Sequence, residues 1–121
     1  MEIRNILIVD DSKTELMYLG EMLRKAGYTV TTAENAAEAQ RWMEQAKPDL
    51  ILMDIVMPGK NGFQFTRAIT HDPRFSDVPV IMCTSKTQET DRLWGLRQGA
   101  RDYITKPVKR EELMRKIKAL G

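Results

Sequence analysis

Short apolar runs and amphipathic stretches alternate along the chain, five of each. Ile6-Leu7-Ile8-Val9 is β-branched and free of polar residues, the pattern of a strand buried on both faces, and it ends in Asp10-Asp11. Ser12 with Glu15 three residues on reads as a capping box opening a helix. That helix carries Leu16, Leu19 and Leu23 on one stripe and stops at Gly27. Tyr28 to Ala33 predicts a second strand. Asn35 caps a helix holding Ala39, Met43 and Ala46, closed by Pro48. Leu50-Ile51-Leu52-Met53 is the third apolar run and again ends in an acid, Asp54. Met57-Pro58-Gly59 is a loop, and Asn61 caps a third helix with Phe65 and Ile69 inward. Asp72 to Asp77 is polar, contains Pro73 and predicts a surface connection. Val80-Ile81-Met82-Cys83 is the fourth strand, ending at Thr84-Ser85. A weaker helix follows, interrupted by Gly95 and ended by Gly99. Tyr103-Ile104-Thr105 is a short fifth strand before Lys106-Pro107, and the last helix begins near Lys109 with Leu113, Ile117 and Leu120 inward.

Strand and helix in strict alternation imply parallel pairing with right-handed crossovers and helices on both faces. The expected fold is α/β, a doubly wound (βα)5 sheet. In such sheets, ligands bind outside the carboxyl ends of the strands. At those ends stand Asp10 and Asp11, Asp54, Thr84 and Lys106. Three acids crowded together repel and raise one another's pKa, so removing one charge, as in Asp10→Asn, is expected to stabilise the metal-free chain. A divalent cation relieves the same repulsion, and a few carboxylates plus waters suit Mg2+. A lysine at that rim neutralises a further anion, such as a phosphoryl group, and the Thr84 hydroxyl hydrogen-bonds its oxygens. The set reads as a phosphoryl-transfer site with a carboxylate acceptor. A lone Asp after a strand is usually a cap or turn former; the argument rests on all five groups falling at the correct strand ends.

The chain has 121 residues, 42% of them hydrophobic, which suits one domain spanning 1–121 with a real core. Its formal net charge of +2 is too near neutral to mark a nucleic-acid or membrane footprint. The one cysteine, Cys83, has no partner for an internal disulfide, and the apolar runs are far shorter than the ~20 residues that span a bilayer. With no signal-peptide pattern, a soluble, cytoplasmic protein is expected.

The stretches Ile8-Val9-Asp10-Asp11-Ser12, Leu52-Met53-Asp54-Ile55-Val56-Met57-Pro58, Thr84-Ser85 and Tyr103-Ile104-Thr105-Lys106-Pro107 together resemble response-regulator receiver domains over essentially the whole chain. The resemblance implies a flavodoxin-like, CheY-like sheet with strand order 2-1-3-4-5. It implies that Asp54 accepts a phosphoryl group from a phosphohistidine on a CheA-like sensor histidine kinase. By position, Asp11, Asp54 and the backbone carbonyl of Val56 would bind Mg2+ directly, and Asp10 mainly through water. Lys106 would pair with the phosphoryl group, Thr84 would move toward it, and Tyr103, the aromatic switch residue, would turn inward in response. Such a chain is a phosphoacceptor signalling protein rather than an enzyme, though it assists its own phosphorylation and dephosphorylation. Asp54-Ile55-Val56-Met57-Pro58-Gly59, Leu93-Trp94-Gly95 and Arg97-Gln98-Gly99-Ala100-Arg101-Asp102-Tyr103 look similar to the PilH-like regulators of type IV pilus twitching motility. The implied target is a motility machine reached through helix 4, strand 5 and helix 5. Val56 and Lys86, two residues after Asp54 and Thr84, are expected to flank the path of the hydrolytic water and slow dephosphorylation.

Other residues take plainer readings. Cys83 is expected to be a buried small apolar residue, His71 a surface residue without a metal, the methionines core filler, and Trp94 a packing residue of its helix. Lys109, Arg110, Arg115, Lys116 and Lys118 read as a solvated helix face. An aspartate-nucleophile phosphohydrolase would need a second acid where Val56 stands. A flavodoxin-like cofactor protein would need a phosphate loop where Asp10-Asp11 would repel phosphate. Two readings keep the receiver: a phosphate sink with no output partner, and a fragment of a larger transcriptional regulator. Against the second, the chain ends after the last helix with nothing resembling a helix-turn-helix.

Overall fold

The computed structural model describes residues 2–57, 61–85 and 89–120. Five strands, β1 (Asn5–Val9), β2 (Thr29–Ala33), β3 (Leu50–Met53), β4 (Val80–Thr84) and β5 (Asp102–Thr105), alternate with five helices. These are α1 (Lys13–Lys25), α2 (Ala36–Gln45), α3 (Gly62–His71), α4 (Glu89–Arg97) and α5 (Arg110–Leu120). The strands form one parallel sheet in the order β2-β1-β3-β4-β5, as expected for the doubly wound fold. None of the described helices is long and apolar enough to cross a membrane.

The unbroken apolar runs are divided between two faces by the two-residue period of a strand. Ile6, Ile8, Leu50, Leu52, Ile81, Cys83 and Ile104 face one way, against Leu16, Leu19 and Leu23 of α1 and Leu113 and Ile117 of α5. Leu7, Val9, Ile51, Met53, Val80 and Met82 face the other way, against α2 (Ala39, Met43) and α3 (Phe65, Ile69). This double coverage is why β1, β3 and β4 carry no polar alternation.

Three local expectations change. The connection after α3 is not wholly superficial: Phe75 and Val78 are buried in the second face's core, drawn in by short turns from Asp72 to Phe75 and from Phe75 to Val78. Gly95 does not interrupt α4, which runs through it. A β-carbon there would stand 3.5 Å from both Met82 and Phe63, an ordinary contact distance, so the packing accepts glycine without requiring it. Of the capping boxes, the reciprocal one is at Asn61 and Gln64. At α1 only half forms: Ser12 accepts from the Glu15 N–H at 3.2 Å, while the Ser12 N–H donates to Asp10.

Candidate functional site

The register of the sheet places the chemistry. β1 and β3 run side by side with Val9 beside Met53, so the residues that follow them, Asp10 and Asp54, leave the sheet together. The Asp54 N–H donates to the Val9 carbonyl at 2.9 Å and the Asp10 N–H to the Ala33 carbonyl at 3.0 Å. β4 and β5 bring Thr84 beside Thr105, and the Lys106 N–H donates to the Thr84 carbonyl at 2.8 Å across a rim that ends in a cis Lys106-Pro107 bond. Four strand ends thus deliver their polar residues to one edge.

Asp10, Asp11 and Asp54 each turn a carboxylate oxygen into one cluster, all within 4.8 Å of one another; Asp10 and Asp54 are buried and Asp11 is exposed. Lys106 reaches over them, its ammonium 2.6 Å from Asp10 Oδ2 and 3.8 Å from Asp54 Oδ1. Asp54 Oδ1 also accepts from the Ile55 N–H at 2.9 Å, and the nearby Thr84 hydroxyl favours the ionised form of the same carboxylate. Asp10 Oδ1 takes the Ser12 N–H at 2.9 Å.

Burial is the main reason the Asp54 carboxyl rises from 3.8 to about 6, with the Asp10 charge adding to it. Lys106, the Ile55 N–H and Thr84 pull the other way and do not cancel the rise. The crowding expected from the sequence is therefore secondary, because Asp10 has a cation of its own. Burial also opposes the charge on Lys106, but the hydrogen bond to Asp10 and the nearby Asp54, Asp10 and Glu15 hold its pKa above the ordinary value. The ammonium is thus a fixed positive charge beside three acids. Three hard oxygen ligands with one partly solvated member fit a small divalent cation that keeps several waters.

Thr84 is fully buried, and Tyr103 is 8% exposed and belongs to the core of the second face. Both side chains thus lie inside the fold. Val56 is exposed beside the site. Lys86, expected to act with it, lies outside the described residues, as do Pro58 and Gly59 of the loop.

Sequence reasoning missed Gly62. Its N–H donates to the Ile55 carbonyl at 2.8 Å, and a β-carbon there would fall 2.1 Å from the Asp54 carbonyl oxygen. Only glycine lets α3 begin against the backbone that holds Asp54. Its place immediately after the Asn61 cap was the available signal.

Cys83 and His71 take the burial and exposure expected of them, and two other readings change. Cys83 is buried, which pushes its thiol up, and His71 Nδ1 lies 2.9 Å from the Arg67 carbonyl. Met17 is exposed rather than core filler, and Lys116 is not merely solvated, since it pairs with Asp102 at 2.9 Å. Trp94 is half exposed, packing edge-on against Phe63 at 6.4 Å between centroids.

Over 115 residues the chain is 56% identical to protein PilH of Pseudomonas aeruginosa, with 95% of each chain covered. It is 40% identical to the phosphate regulon transcriptional regulatory protein PhoB of the same organism, over 97% of this chain and 51% of that one, and so spans about half of it. Among solved structures, the chemotaxis protein CheY4 of Vibrio cholerae superimposes with a TM-score of 0.91 at 29% identity, over 98% of this chain and 99% of that one. The family model for the response regulator receiver domain matches residues 6–118, and the chain belongs to that family.

Proposed function

We propose that Asp54 is the phosphoacceptor of this response regulator, taking a phosphoryl group from a histidine kinase of the CheA type. The observation that carries the reading is the convergence of Asp10, Asp11 and Asp54 within 4.8 Å under the Lys106 ammonium. An Asp54 oxygen attacks phosphorus in line, the new O–P bond forms as the P–N bond of the phosphohistidine breaks, and the imidazole leaves. The Ile55 N–H holds the Asp54 carboxylate, so its orientation is set before the donor arrives. At neutral pH a carboxyl of about 6 is mostly ionised and able to attack. Lys106 then moves from Asp10 toward the phosphoryl oxygens. Mg2+, held by Asp11, Asp54 and the Val56 carbonyl with Asp10 through water, would supply charge neutralisation for the transferring group.

The output surface in this reading is α4, β5 and α5, where Leu93 and Trp94 lie exposed and Tyr103 lies beneath. Its target is a cytoplasmic component of a motility machine, with type IV pili the favoured one. The identity to PilH and the fit to a chemotaxis protein support that choice. Val56 sits where an amide would align the hydrolytic water, and its exposed apolar side chain offers no hydrogen bond, which favours a long-lived phosphoryl group. Acetyl phosphate with Mg2+ should add one phosphoryl group to the wild type, seen by intact-mass spectrometry, and none to Asp54→Asn. An adduct on the variant would overturn the assignment.

A further inference from the structure

The two edges of the sheet are not alike. β5 begins on Asp102, whose carboxylate pairs with Lys116 of α5 at 2.9 Å, so charge guards that edge. β2 reads Thr-Val-Thr-Thr-Ala, without charge or proline, and its register with β1 runs one to one, without a bulge. The Thr29 N–H donates to the Arg4 carbonyl, and the Ala33 carbonyl accepts from the Asp10 N–H. Thr29, Thr31 and Ala33 therefore turn their peptide groups to β1, and Val30 and Thr32 turn theirs outward, where no described strand meets them. Exposed apolar side chains flank this edge on both faces. On the α2 face, Trp42 is 43% exposed and stands over Thr29 and Thr31 across a cavity of about 230 Å3. On the α1 face, Tyr18 turns toward α5 to reach the Val108 carbonyl, so Met17, 65% exposed, lies with Gly20 and Arg24 on the opposite flank, the one bordering β2.

We propose that the β2 edge docks a second copy of this chain, strand against strand in antiparallel order, about a two-fold axis normal to the sheet at Thr31. In that register Val30 of one copy stands opposite Thr32 of the other and exchanges both peptide hydrogen bonds with it, twice over by symmetry. The two Thr31 side chains face each other on the α2 face, a favourable cross-strand pair. Charge fits the same axis. Glu38 and Arg41 share the outer flank of α2 with Trp42, around a second cavity of about 200 Å3. The two-fold turns Glu38 of each copy toward Arg41 of the other, with the two Trp42 rings between them. A strand of unrelated sequence gains neither the self-matching register nor the paired charges. The pairing uses none of the phosphoacceptor chemistry and goes beyond the reading above.

Sedimentation equilibrium of the unphosphorylated full-length protein over a concentration series tests this. The wild type should approach the mass of two chains. Trp42→Glu should weaken the dimer at least about 10-fold, the scale of removing an apolar interface anchor. Thr32→Pro should do the same, because it deletes an outward N–H and leaves the ladder to β1 intact. Circular dichroism checks that both variants fold. Under oxidation, Thr31→Cys should close a disulfide between copies, since residue 31 stands opposite itself at the short spacing of a non-hydrogen-bonded pair, while Val30→Cys should not. The native Cys83 is buried and stays out of this reaction. A wild type that is monomeric at every concentration would overturn the proposal and leave the edge to a strand from another protein. A dimer that survives both Trp42→Glu and Thr32→Pro would place the contact on another face and overturn it as well. Cross-linking by Val30→Cys as readily as by Thr31→Cys, or by neither, would overturn the register.

Discussion

Removing the Asp54 charge should stabilise the metal-free protein, and the structure sets the size of the effect. The carboxyl is buried, and its pKa rises from 3.8 to about 6. At about 1.4 kcal/mol per tenfold change in proton affinity, ionised Asp54 costs the fold roughly 3 kcal/mol. The folded-state value lies above the unfolded one, so this contribution to stability is fully present below about pH 4 and is lost as pH rises through about 6. Asn keeps the oxygen that accepts from Ile55 and cannot ionise. Asp54→Asn in EDTA should therefore match the wild type near pH 4 and exceed it by up to roughly 3 kcal/mol above pH 7. At roughly 3–5 °C per kcal/mol for a domain of this size, that is a rise in Tm of roughly 9–15 °C at the full effect. Mg2+ at ten times its Kd should return about 1.4 kcal/mol to the wild type and less to the variant. Urea and thermal melts at several pH values measure all of this. A variant that melts at or below the wild type at pH 8 in EDTA would refute burial as the source of the strain. Asp10→Asn, expected from the acids alone to stabilise, should now do the opposite, since it removes the partner of Lys106 at 2.6 Å.

Gly62→Ala should cost more than about 2 kcal/mol in a urea melt and impair phosphorylation, because its β-carbon would overlap the Asp54 carbonyl. Tyr18→Phe should cost about 1 kcal/mol, the Tyr18 hydroxyl otherwise donating to the Val108 carbonyl at 2.7 Å; an unchanged melt would mean water replaces it. Val56→Asn with Lys86→Glu should shorten the lifetime of the phosphorylated protein after donor removal, and equal decay rates would sink the shielding role. Beryllofluoride should shift NMR signals of Arg92, Trp94, Tyr103 and Lys109; shifts confined to the metal pocket would point to a phosphate sink instead.

The alternation of apolar runs with capped helices was enough to read the strand number, the parallel pairing and the rim to which Asp10, Asp11, Asp54, Thr84 and Lys106 are delivered. That information is local: β-branched runs, Asn35 and Asn61 as caps, and Gly27 with φ +98° past the end of α1. Gly95 misled because one helical glycine was counted as a break, whereas its cost of about 1 kcal/mol is small enough for α4 to run through it. Phe75 misled because one aromatic in a polar stretch carries no period.

What the chain alone could not decide is who partners whom across long sequence separations. The acids announce a cluster, but only the folded rim shows that Lys106, 96 residues away, takes Asp10 and leaves Asp54 to burial. Glu15 reads as half of a capping box until Asp10 occupies the Ser12 N–H and leaves the glutamate oxygen buried. Gly62 reads as an ordinary first helical residue until the Asp54 carbonyl stands where its side chain would be. Secondary structure follows from neighbours along the chain, and the sequence carries it openly. Charge pairing and steric clearance depend on distances between strand ends, which exist only once the sheet has closed its register.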